Sequence, residues 1–157
     1  MILTPHMAAG VAIAILAPHP AIGLPLAFLS HYVLDALPHA EYNTDKIKQV
    51  LRGNLRGGIA PLWRLFLDGA GGFTALVAAA ILFNHASLLA AGGAIAGILP
   101  DGLTVLLWML PRNKILARHF NFHSRVHFPK DKRSSQFLRI GLQIGILIFT
   151  ALVLVLT

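Results

Sequence analysis

The chain has 157 residues, of which 56% are hydrophobic and only 12% charged, whereas a soluble domain carries about 25% charged residues. Too few polar side chains remain to cover a water-facing surface, which excludes a soluble globular enzyme and a disordered chain. The absence of cysteine excludes a disulfide scaffold, a thiolate zinc site and a cysteine nucleophile. The composition predicts an all-α polytopic membrane bundle, one membrane-embedded domain over residues 1–157, with a net charge of +7 to be explained by its distribution.

Apolar runs span Thr4 to Ala17, Ala21 to Leu37, Pro61 to Phe83, Ala86 to Leu110 and Phe137 to Thr157, and they predict about five helices. At about 1.5 Å per residue the last three are long enough to cross a hydrocarbon layer of ~30 Å. The first two reach only ~21 and ~25 Å. Pro18, His19 and Pro20 alone separate them, so they read as a short hairpin that crosses a thinned bilayer or enters partway. No basic segment precedes the first run, which argues against a cleaved signal peptide.

Two polar stretches interrupt the runs. Glu41 to Gly58 carries Lys46, Lys48, Arg52 and Arg56; Arg112 to Ser135 carries Arg112, Lys114, Arg118, Arg125, Lys130, Lys132 and Arg133. The connections at Pro18–Pro20 and Asn84–Ser87 have neither Lys nor Arg. Five crossings place both basic stretches on one side, which the positive-inside rule makes cytoplasmic. The expected protein is therefore a multi-pass inner (cell) membrane protein with its N-terminus inside and its C-terminus outside. Retention of loops and attraction to anionic membrane lipids account for the charge, so nucleic acid is not expected as a partner.

The same topology gathers histidines and acids from distant segments at one membrane depth. His6 opens the first run, and His31 and Asp35 close the second. Asp68 starts the third, Asp101 lies in the second half of the fourth, and His119, His123 and His127 fill the second basic stretch. His31-x-x-x-Asp35 has the i, i+4 spacing that puts an imidazole and a carboxylate on one helix face. Pro38 ends that helix, leaving His39 to turn back toward the site or to face water. His119, His123 and His127 also step by four and form one stripe if that stretch is an interfacial helix.

Each feature also has a plainer structural reading. The His31–Asp35 pair serves as a hydrogen-bonded helix end, interfacial histidines sit among headgroups, and the glycines of Asp68-Gly-Ala-Gly-Gly72 allow close helix packing. Asp101 is harder to dismiss, because an ionisable group inside an apolar run is costly and by default functional. Pro100 beside it removes a helical donor and is expected to free a carbonyl near the carboxylate.

These residues carry a resemblance. Thr4-Pro-His6-x-x-x-Gly10, His31-Tyr-Val-Leu-Asp35-Ala-Leu-Pro-His39 and Leu99-Pro-Asp101 resemble motifs of small inner-membrane metal-dependent hydrolases of the LexA-regulated type. The likeness implies that His6, Asp101 and the pair His123 and His127 fill the roles of that family's early Thr-His, its Leu-Pro-Asp and its late His-x-x-x-His. The His31–Asp35 element is similar, more weakly, to one in the all-helical zinc-dependent phospholipases C. Short motifs cover the chain to about Phe128. The chain departs at Leu-Pro-Asp101-Gly-Leu103, which lacks the family's second carboxylate, and at Pro5, which splits Thr4 from His6.

The leading expectation is thus a membrane-embedded hydrolase acting at the cytoplasmic interface on a lipid-like phosphoester, a phospholipid or an isoprenoid phosphate. His6, His31, Asp35, Asp101, His123 and His127 are the expected ligands of one or two divalent transition metals. Mixed imidazole and carboxylate donors favour zinc, with manganese or iron as alternatives. His39, His119 and Asp68 are candidate general bases or positioning groups, and Arg118 and Arg125 candidate phosphate clamps. A metal or proton carrier and a structural membrane subunit are the competing expectations. Oligomeric state is not legible.

Overall fold

A computed structural model describes residues 2–41, 44–53, 60–129 and 134–157; Arg56, Lys130, Lys132 and Arg133 of the charge pattern lie outside the described residues. The described chain is all-helical, with the order α1 (Leu3–Leu16), α2 (Pro20–Asp35), α3 (Thr44–Leu51), α4 (Ala60–Leu82), α5 (Ser87–Met109), α6 (Lys114–Val126) and α7 (Gln136–Leu156). The expected count of about five is therefore corrected to seven among the described residues. All five apolar runs are helices; the additional ones, α3 and α6, lie inside the two basic stretches. Both are amphipathic, so a search for uniformly apolar runs passes over them. α3 buries Ile47 and Val50, and α6 buries Leu116 and His123.

Local signals set the helix ends. The ring of His19 caps α2, its Nδ1 accepting from Ala21 N at 3.1 Å, with Pro20 in the first helical position, where a missing N–H costs nothing. Asn113 Oδ1 accepts from Ile115 N and Leu116 N to start α6, and Ser135 Oγ accepts from Leu138 N to start α7. Asn84, at φ 61°, takes the left-handed conformation that turns α4 into α5.

α1 and α2 pack as the expected hairpin, but α1 is also the centre of the bundle, touching α2, α4, α5 and α7. It is apolar on all sides because it is enclosed on all sides: Pro5, His6, Met7, Ala8, Gly10, Val11, Ala12 and Ala14 are buried. Its tightest neighbour is α5. A methyl group added at Gly10 would strike the carbonyl of Gly93, and one added at Gly97 would strike the carbonyl of His6. Glycine on both faces lets the two backbones touch, the small-residue packing expected where lipid provides no hydrophobic drive between helices. Met7, Val11, Ala80, Ala90, Ala94 and Leu154 form the apolar core around this contact.

α4, α5 and α7 are long and apolar enough to cross a membrane. Their outer faces present Leu82, Leu88, Phe137, Phe149 and Leu156 in the open, an apolar surface far beyond what a water-soluble monomer exposes.

Candidate metal centre

Asp35, the last residue of α2, is 1% exposed, and five imidazoles aim Nε2 at its carboxylate. Oδ1 lies 3.1 Å from His6 and 3.9 Å from His39; Oδ2 lies 2.7 Å from His123, 3.2 Å from His31 and 3.7 Å from His127. Asp101 Oδ1 adds a second carboxylate 3.6 Å from His31 Nε2, and Nε2 of His31 and His123 are 3.2 Å apart. α1, α2, α5 and α6 converge on this point. α6 is held there by backbone as well, Phe128 N donating to Asp35 O at 2.6 Å.

The outer nitrogens of these rings fix where their protons lie. His31 Nδ1 faces Gly97 O at 2.8 Å, His39 Nδ1 faces Leu37 O at 2.7 Å and His127 Nδ1 faces Phe128 O at 3.3 Å. A carbonyl only accepts, so each Nδ1 carries the hydrogen and donates. His123 Nδ1 faces Thr104 Oγ1 at 3.3 Å, and that hydroxyl is itself 3.3 Å from Pro100 O, to which it donates; His123 Nδ1 is therefore a donor as well. In the neutral rings of His31, His39, His123 and His127, Nε2 then presents a lone pair inward. Apart from His6, the interior of the cluster then consists of acceptors: the lone pairs of these four imidazoles and the carboxylates of Asp35 and Asp101. A cation placed among them would satisfy such a set, and an outward Nδ1–H on a carbonyl is how metal-binding histidines are held.

The spacing fits a metal. Ligands at ~2.0–2.2 Å from a tetrahedral ion lie about 3.3–3.6 Å from one another. Donor atoms of His31, Asp35, Asp101 and His123 all fall within 4.8 Å of one another, as do those of Asp35, His39 and His127. Imidazole and carboxylate donors together suit zinc, manganese or iron better than magnesium or calcium.

His6 is brought to the cluster by α1, its Nε2 on Asp35 Oδ1. Its Nδ1 is buried without a hydrogen-bond partner among the described residues, so the proton sits on Nε2 and is donated to Asp35 Oδ1. The ring stacks on His31 with centroids 3.9 Å apart, and His6 orients Asp35 from behind. His119 belongs to the expected α6 stripe but stands one turn from the cluster, its Nε2 2.9 Å from the Tyr32 hydroxyl. Burial, and then the neighbouring His123, push its pKa below the ordinary imidazole value. Burial also pushes His127 down, which keeps its lone pair available at neutral pH.

Asp68 is engaged elsewhere. Its carboxylate accepts from Leu3 N at 2.5 Å, from Thr4 N at 3.3 Å and from the Thr4 hydroxyl, so it caps the N-terminus of α1. Arg118 and Arg125 are exposed on α6 and do not line the cavity beside the cluster. That cavity, about 630 Å³, has Glu41, Asp101, His123 and His127 at its polar end. Ile95, Ile98, Leu99, Val105 and Trp108 of α5 form its apolar wall, and Lys48 of α3 also lines it. The carbonyl serving the cluster is that of Gly97, whereas the one deprived of its donor by Pro100 is that of Ala96, four residues back.

Sequence reading passed over Tyr32, Glu41, Lys48, Gly97 and Thr104. Thr104 follows Asp101 by three, a same-face spacing, and Glu41 follows His39 by two; both signals are local and weak. Lys48 was visible only as one charge in a basic stretch. His19 and His85, placed on the far side by the topology, are indeed apart from the cluster: His19 caps the opposite end of α2, and His85 bonds to Leu154 O.

Comparison with protein-family models, with curated proteins and with solved structures finds no match for this chain.

Proposed function

We propose that the chain is a membrane-embedded, metal-dependent hydrolase of a lipid-like phosphoester, with its site at the cytoplasmic interface of the inner membrane. The observation that carries the reading is a buried His/Asp cluster, its potential ligand atoms within 4.8 Å of one another, beside an apolar-walled cavity that Asp101 and His123 also line. His31, Asp35, Asp101 and His123 hold a divalent transition metal, most naturally zinc. When bound, such a metal supplies Lewis acidity toward phosphoryl oxygens and a water acidic enough to react near neutral pH. His6 fixes the Asp35 carboxylate, Gly97 and Thr104 fix the rings of His31 and His123, and Lys48 attracts the phosphoryl group. The α5 wall receives the hydrocarbon, so phospholipids and isoprenoid phosphates are the substrate classes that match both ends.

The carrier reading needs polar groups along the bundle. Asp68 is engaged at the N-terminus of α1, and the interior around α1 is filled by Met7, Val11, Ala80, Ala90 and Ala94. The test is release of inorganic phosphate from diacylglycerol phosphate and from isoprenyl phosphates by zinc-loaded protein in detergent. Release should be abolished by a chelator and by Asp35→Asn. A metal-loaded protein that releases none, yet passes zinc across sealed vesicles, would replace the hydrolase with a carrier.

A further inference from the structure

We propose that the cluster holds two divalent cations, bridged by Asp35, with His39 and His127 forming the second position. This rests on the metal reading above and extends it.

The second position stands on its own geometry. His39 is 3% exposed, its Nδ1–H is fixed on Leu37 O, and its buried Nε2 has no hydrogen-bond partner among the described residues. That orphaned lone pair points at Asp35 Oδ1, 3.9 Å away, and Glu41 Oε1, 3.5 Å away. His127 closes the ring, its Nε2 3.7 Å from Asp35 Oδ2 and its imidazole 4.7 Å from that of His39. Most of these separations are too long for hydrogen bonds, yet they suit donors that share an ion at ~2.0–2.2 Å. An unsatisfied buried polar atom is costly, and a cation at this position removes the cost for His39 Nε2.

Paired ions are the arrangement that holds the attacking and leaving oxygens of an in-line displacement at phosphorus. Both carboxylate oxygens of Asp35 face imidazoles, Oδ2 those of His31, His123 and His127 and Oδ1 those of His6 and His39.

The experiment is metal content per chain of the full-length protein in mild detergent, loaded with zinc and passed over a weak chelator. Wild type should retain two zinc ions, His39→Ala and His127→Ala one each, and Asp35→Asn none. Manganese loading gives a readout that needs no variant: the wild type should show the electron-paramagnetic signature of a spin-coupled Mn(II) pair. One zinc per wild-type chain, unchanged by His39→Ala, with an uncoupled manganese signal, would overturn the second position and leave the first intact. No retained metal in folded wild type would overturn both.

Discussion

His123 Nε2 lies 2.7 Å from Asp35 Oδ2 across 88 residues of chain, with the backbone link from Phe128 N to Asp35 O immediately beside it. A close side-chain approach and a backbone hydrogen bond thus hold the end of α6 against the end of α2. Asp35 is the point on which the whole site depends.

Asp35→Asn keeps the shape of the side chain but removes its charge and turns one acceptor into a donor. Metal affinity should fall by more than about 100-fold, beyond the ~10–100-fold that loss of an outer partner costs. His6→Leu should fall within that smaller range, and His6→Gln, which keeps a donor toward Asp35, should recover most of it. Equal and complete loss in both His6 variants, read by competition with a chelating dye, would make His6 a ligand.

Asp68→Ala removes the cap of α1 and should lower the unfolding free energy by about 0.5–2 kcal/mol. Thermal unfolding followed by fluorescence of Trp63 and Trp108 reports it. Metal content should stay unchanged. Loss of metal at unchanged stability would return Asp68 to the site.

Gly97→Ala places a methyl group against the His6 carbonyl, and Gly102→Ala places one in open space. The first should cost about 1–3 kcal/mol by forcing α1 and α5 apart and should weaken metal binding through His31. The second should be neutral in both measurements. Similar behaviour of the two variants would show that the close α1–α5 approach is not required.

Lys48→Ala should raise KM for an anionic phosphoester about tenfold or more, as expected for loss of a charge-assisted contact. Arg118→Ala and Arg125→Ala, both on the exposed side of α6, should change it less than about twofold. The reverse ranking would place the phosphate outside the cavity.

Reporter fusions at Asn84 and Thr157 should agree with each other and oppose a fusion at Asn54, as the distribution of basic residues requires. A cytoplasmic report from Thr157 would mean that the α1–α2 hairpin does not span.

Much of this protein is written locally. Apolar runs of sufficient length specify α4, α5 and α7 wherever they sit, because a helix satisfies its own backbone groups within the segment. The i, i+4 spacing of His31 with Asp35, and of His119, His123 and His127, follows from helix geometry alone, so these faces were legible before any contact was known. Pairing across the chain was not. Gly10 meets Gly93 and Gly97 because two backbones touch, and no local pattern states which glycines will meet. That contact brings the Gly97 carbonyl to His31 and thereby sets which nitrogen faces inward. The amphipathic α3 and α6, polar on average, needed partners before their buried faces acquired meaning. Asp68 and Asp101 look alike in sequence, each an acid in an apolar helix. Only the packing of α1 decided between them, because the N-terminal donors of α1 engage Asp68, whereas Asp101 faces His31 and the cavity.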